Sequence, residues 1–165
     1  LTILPSLLIR PYSLSKMADV HSKEVRSFNM SRIKGKDTKP EMIVRKFLHS
    51  NGFRYNLYSK TLPGKPDIVL NKYKTIVDVR GCFWHAHKNC GFGDGVKSES
   101  IVITSRIKSA VERDKVKVEK WKELGWKVII IWDSCELETK KKISLKREKV
   151  LMKLLQTLKR IDTDN

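Results

Sequence analysis

Leu62-Pro63-Gly64-Lys65-Pro66-Asp67-Ile68-Val69-Leu70, then Asn71-Lys72-Tyr73-Lys74, then Thr75-Ile76-Val77-Asp78-Val79-Arg80, is the stretch that decides the fold. The Pro-Gly-Lys-Pro run reads as a turn, and two short apolar strands follow it, parted by a hairpin loop. Adjacent strands bring Asp67 and Asp78 side by side into one cleft. Two carboxylates held together repel unless a cation lies between them, and hard oxygen ligands suit Mg²⁺. Arg80, two residues past Asp78, falls on the same side and is placed to hold a phosphate oxygen. A plainer account also fits: Asp67 closes the turn, and Asp78 with Arg80 makes a cross-strand ion pair.

Upstream, Thr38-Lys39-Pro40-Glu41 is a capping box that starts a helix carrying Ile43, Val44, Phe47 and Leu48 and stopping at Gly52. Phe53 to Tyr58 alternates like a strand. Downstream, a loop rich in Gly, Cys and His runs to about residue 100, and a long helix is expected from about Ser105 to Leu124, ended by Gly125. Trp126 to Trp132 is nearly all apolar and reads as a central strand. Val150, Leu151, Leu154, Leu155 and Leu158 mark a last helix. The order helix, three strands, helix, strand, helix predicts an α/β fold, a mixed central sheet flanked by helices.

Residues 1–16 contain two prolines and no acid, and are read as a leader or upstream segment outside the fold, with Met17 as the start. Residues 17–38 form a basic arm with Arg26 and Arg32 placed to lie against DNA, and residues 39–160 form the domain proper.

Lys and Arg number 35 against 18 Asp and Glu in 165 residues, a net charge of +17. So basic a chain calls for a polyanion, and without an apolar run of the roughly 18 residues that a span needs, nucleic acid is expected rather than a membrane. The three cysteines cannot all pair within one chain, which points to a metal site or reduced thiols. Cys82, His85, His87 and Cys90 crowd into nine residues, and Cys135 follows the apolar strand. Cys82, His87, Cys90 and Cys135 would complete a tetrahedral Zn²⁺ site, with His85 as the alternative to His87. The histidine left over is a fit general base or acid near neutral pH. On the long helix, Asp114 shares the apolar face of Val111, Val118 and Trp121, where an unpaired carboxylate is costly, so it must meet a cation, a histidine or a metal-bound water.

The Pro66-Asp67…Asp78-Val79-Arg80 spacing resembles the PD-(D/E)xK nuclease pattern, with Asp for Glu and Arg for Lys. Leu62 to Asp67, Gly81-Cys82-Phe83-Trp84-His85, Val111-Glu112-Arg113-Asp114 and Glu123 to Val128 together resemble the very short patch repair (Vsr) DNA mismatch endonuclease family, over about residues 17–136. The resemblance implies a restriction-endonuclease-like fold with a structural zinc, and Mg²⁺-dependent nicking of one strand at T:G mismatches left by 5-methylcytosine deamination. It makes Asp67 the metal-binding aspartate, with Val79 adding a backbone carbonyl; Asp78 departs from the family by filling the second half of the nuclease pattern and is a further candidate ligand. His85 becomes the catalytic histidine, Glu41 and Asp114 supporting acids, and Cys82, His87, Cys90 and Cys135 the zinc ligands. Phe83 and Trp84 would wedge into the duplex and Met30 of the arm would enter from the other groove. Ile103 stands near a position where members insert a Trp. Double-stranded DNA is the implied partner, alongside other mismatch-repair proteins, for a monomer in the bacterial cytoplasm at the nucleoid. Two other readings are a zinc-stabilised DNA-binding module without catalysis and a restriction-like nuclease without mismatch preference. Asp67 argues against the module, because a carboxylate facing a phosphate repels it.

Overall fold

In the computed structural model, residues 22–32, 35–91, 101–138 and 144–163 are described. The leader, Met17, and the side chains of Arg26, Met30 and Ile103 lie outside the described residues. The chain divides into two units, residues 1–36 and 37–165. In the first, α1 (Lys23–Ser31) starts with the Val25 N–H donating to Ser22 Oγ, and the Arg32 guanidinium lies 5.1 Å from the centre of the exposed Phe28 ring.

The second unit is built on the expected hairpin. Strands β2 (Ile68–Leu70) and β3 (Thr75–Arg80) pair antiparallel through a tight 3₁₀ turn at Asn71–Tyr73. The strand read over Phe53–Tyr58 is shorter than expected: β1 is only Asn56–Leu57, paired antiparallel with β2. Its partner is itself three residues long, and Tyr58 turns away with φ +49°. Phe53 is buried in the core and Tyr55 packs against it without joining the ladder.

The long helix α3 (Ile101–Glu123) begins four residues earlier than read, and leads to β4 (Lys127–Trp132), which runs parallel to β3. The sheet order is β1-β2-β3-β4, so β4 lies at the edge of the described sheet rather than at its centre. Its apolar run has another cause: both its faces are covered. Ile129 and Ile131 join a core with α2 (Lys39–Ser50) and α4 (Leu145–Thr163), whereas Val128 packs beside Trp121 of α3. Alternation along β2 and β3 follows the same division, with Ile68, Leu70 and Val77 towards α2 and α4, and Val69 and Ile76 towards α3. The unit is thus a mixed α/β sheet with helices on both faces, as the sequence predicts.

The larger core depends on α4, whose Leu151, Leu154, Leu155, Leu158 and Ile161 are buried. Leu158→Ala is expected to cost about 2–5 kcal/mol in a denaturant titration, because the side chain is fully enclosed. Met152→Ala on the exposed face of the same helix should stay within about 0.5 kcal/mol.

Candidate active site and metal centre

Side-chain alternation puts Asp67, Asp78 and Arg80 on the α3 side of the sheet, with Val69 and Ile76. Asp67 Oδ2 accepts the Val79 N–H at 2.9 Å, which ties the end of the Pro-Gly turn to β3. Burial pushes the Asp67 carboxyl up, the neighbouring Asp78 pushes it further, and the Val79 N–H only partly offsets them, leaving it at about 6.

Asp78 is buried, and its Oδ2 accepts from Arg80 Nε at 2.7 Å. The ion pair joins residues two apart on one strand, not across strands. It also changes the expected part of Arg80, which is buried. Its Nη1 lies 3.8 Å from Asp114, and its Nη2 has no hydrogen-bond partner among the described residues. A guanidinium enclosed between two carboxylates serves them as an internal counter-ion.

Glu41 does more than cap a helix. Thr38 is the N-cap and donates its hydroxyl to Glu41 Oε1 at 2.9 Å. The return bond of the box comes from the Asp37 N–H, one residue upstream of the cap. Glu41 Oε2 also accepts from Arg45 Nη2 at 2.7 Å and from the Tyr58 hydroxyl at 2.9 Å. Arg45 reaches Asp37 and Tyr58 as well, both at 2.5 Å. Asp37 and Tyr58 take left-handed backbone conformations, φ +52° and +49°, that these bonds must hold. The field of Glu41 further raises Asp67, so the two acids are electrostatic neighbours.

Asp114 occupies the inward stripe of α3, one heptad from Ile107 and one from Trp121, all three buried. Its Oδ2 is hydrogen-bonded to His85 Nδ1, and its Oδ1 lies 2.9 Å from Lys117 Nζ, one turn on. Burial alone would raise Asp114, but the bonds to His85 and Lys117 outweigh it and hold the carboxyl down at about 2. Of the three partners considered from sequence, it has both a histidine and a cation. His85, a quarter exposed, opens onto a cleft of about 720 Å³ with Gly64, Asp114 and Lys117 on its wall.

The geometry also separates the two histidines. Cys82, His87, Cys90 and Cys135 bring one ligand atom each within 4.8 Å of one another. His87 Nδ1 lies 3.2 Å from Cys135 Sγ and 3.7 Å from Cys82 Sγ, and the two sulfurs are 3.5 Å apart. A tetrahedral site with arms of about 2.0–2.3 Å has edges of about 3.3–3.8 Å, so the donor set fits one ion. Burial pushes the Cys82 thiol up, and burial together with Cys82 and Cys90 takes Cys135 to about 12, since clustered thiolates need a cation to coexist. Distant residues position the cluster. The His87 ring stacks on Trp132 at 3.9 Å, and the Cys82 N–H donates to Asp133 Oδ1 across a π-turn at Asp133–Leu137. Phe83 and Trp84, between cluster and His85, meet edge to face at 5.0 Å and are both half-buried.

The acids of this region differ in one respect. Glu41, Asp78 and Asp114 each hold a basic side chain, Arg45, Arg80 and Lys117 respectively. Asp67 alone of the four forms no ion pair among the described residues, although it is half-buried beside another carboxylate.

Residues 18–91 match the family model described as DNA mismatch endonuclease Vsr. The chain is 45% identical over 124 residues to the type II nicking enzyme V.NmeAIP of Neisseria meningitidis serogroup A, covering 75% of this chain and 87% of that one. It is 40% identical to the type II nicking enzyme V.XorIIP of Xanthomonas oryzae, over 73% of this chain and 88% of the relative. It is 35% identical to the DNA mismatch endonuclease Vsr of Escherichia coli, over 78% and 81%.

The chain belongs to the Vsr endonuclease family.

Membership of the Vsr family makes the chain a DNA endonuclease and sets aside a binding module without catalysis. It implies a divalent metal, and unpaired Asp67 is a suitable place for one.

Asp67 also sets a pH dependence. Its carboxyl is raised in the folded protein, so between about pH 4 and pH 6 the native state keeps a proton that the unfolded chain has lost, and stability falls as pH rises through that window. Asp67→Asn removes this loss. Without added divalent cation, its thermal midpoint should exceed that of the wild type above pH 6, and the two should converge towards pH 4. Asp114 works in the opposite sense, its contribution lost as pH falls from about 4 to 2.

Proposed function

We propose that this Vsr-family chain nicks one strand of duplex DNA at T:G mismatches arising from deamination of 5-methylcytosine, with Mg²⁺ at Asp67 and a structural Zn²⁺ held by Cys82, His87, Cys90 and Cys135 in a restriction-endonuclease-like domain. The observation that carries the reading is Asp67, half-buried beside Asp78 with no ion pair among the described residues, in a protein of net charge +17. The printed names of the relatives, nicking enzymes and a mismatch endonuclease, support the strand and substrate assignments.

The chain's own residues divide the work. Asp67 and the Val79 carbonyl, joined by Asp78, would hold the Mg²⁺, which when bound would stabilise charge on the phosphate and acidify a water. His85 has its Nδ1 committed to Asp114, which fixes the tautomer and leaves Nε2 to take or give a proton in the cleft. Glu41, fixed by Arg45 and Tyr58, adds negative charge beside Asp67 and favours cation binding. Phe83 and Trp84 supply the wedge: unstacking costs a few kcal/mol per step and is cheapest beside a mispair. Arg26 and Arg32 of the arm lie against the duplex, and Met30 enters a groove. The enzyme acts as a monomer in the bacterial cytoplasm at the nucleoid, with other mismatch-repair proteins as its neighbours.

The deciding experiment is nicking of T:G, C:G and other mispaired duplexes with and without Mg²⁺. Cleavage of one strand of the T:G duplex, dependent on Mg²⁺ and abolished by Asp67→Ala with DNA binding unchanged or tighter, is expected. Equal cleavage of T:G and C:G would leave a restriction-like nuclease without mismatch preference. Elemental analysis should find one zinc per chain, lost together with much of the stability in Cys135→Ser.

A further inference from the structure

We infer that Lys117 is an active-site residue whose ammonium contacts a non-bridging oxygen of the scissile phosphate, and that Gly64 of the Pro-Gly turn exists to seat it. The inference rests on the endonuclease reading of Asp67 and of the His85 cleft, and adds to it a residue that no motif picks out.

Lys117 lies one turn after Asp114 on α3, in the wall of the cleft onto which His85 opens. Asp114 serves the two from opposite oxygens: Oδ2 bonds His85, and Oδ1 lies 2.9 Å from Lys117 Nζ. A carboxylate shared in this way fixes the imidazole and the ammonium relative to each other. The Lys117 side chain is only a quarter exposed, and its Nζ sits 5.6 Å from the centre of the Trp121 ring, so the ammonium is held at the cleft wall rather than waving in solvent. The contact with Asp114 uses one of three N–H donors, leaving two for an incoming oxygen. Its field also pulls Asp67 down as it does Asp114, so one ammonium is felt by both halves of the site.

The turn is shaped around this side chain. Gly64 has φ +74°, and a Cβ built there would overlap Cγ and Cδ of Lys117. Trp121 Nε1 donates to Pro63 O at 2.7 Å, which fastens the turn to α3 and keeps Gly64 over the lysine. An ammonium preplaced where charge develops on a phosphate stabilises the transition state without reorganisation.

The test is single-turnover nicking at saturating DNA by zinc-loaded protein, with folding checked by circular dichroism. Lys117→Met should slow nicking about 10²-fold while changing DNA affinity only a few-fold, since one preplaced donor is worth about that much in rate. Lys117→Arg should recover part of the rate by restoring the charge. Gly64→Ala should displace the lysine and slow nicking too, and adding it to Lys117→Met should cost little more. Full-rate nicking by Lys117→Met, or a defect that vanishes at saturating DNA, overturns the assignment while leaving the endonuclease reading intact. A wild-type protein that nicks no duplex overturns both.

Discussion

Parallel strands cannot be joined by a tight turn, and the pairing of β3 with β4 is parallel from Thr75↔Lys127 to Arg80↔Trp132. That constraint arranges the rest of the molecule. The chain must leave β3 at Arg80 and return to the far end of the sheet, and α3 makes the return. The crossover carries Asp114 and Lys117 over the face that already bears Asp67 and Asp78. The register then ends β4 beside Arg80, so Cys135 arrives next to the loop that holds Cys82, His87 and Cys90. Proton-handling groups and metal ligands are brought together by a single strand pairing.

The site is an acidic island in a basic protein. A net charge of +17 draws DNA in, but carboxylates at the point of contact repel it. The structure resolves this by enclosing most of the acids with their own cations: Arg45 for Glu41, Arg80 for Asp78, Lys117 for Asp114. Burying such pairs adds little to stability, since desolvation offsets the attraction, so they are better understood as fixing geometry.

Much of this was legible in the sequence because its signals are local. The Thr38 cap, the Pro-Gly turn before Asp67, the β2–β3 hairpin and the leucine stripe of α4 each rest on a few neighbouring residues. Asp114 was legible because an acid on an apolar helix face must have a partner. Errors came where a feature depends on distant chain. An apolar run reports covered faces, not the number of hydrogen-bonded neighbours, so β4 looked central and lies at an edge. Nothing in the spacing of Arg80 shows that Asp114 lies across from it. The choice between His85 and His87 depended on Trp132 and Asp114, both far along the chain. Lys117 carries no pattern by itself and gains meaning only from the Gly64 turn packed above it.

The Cys/His quartet has a consequence for the order of folding. Three of its ligands fall within nine residues, but the fourth, Cys135, is separated from Cys82 by 53 positions that include all of α3 and β4. Closing so long a loop is entropically unfavourable until other contacts have shortened it, and here those contacts are the β3–β4 ladder itself. The short-range ligands can gather early, but the complete coordination shell forms only after the crossover is in place. An ion bound there would therefore not nucleate this fold. It would close last, and its chief kinetic effect would fall on the rate of opening, since interactions absent from the transition state slow unfolding rather than speed folding.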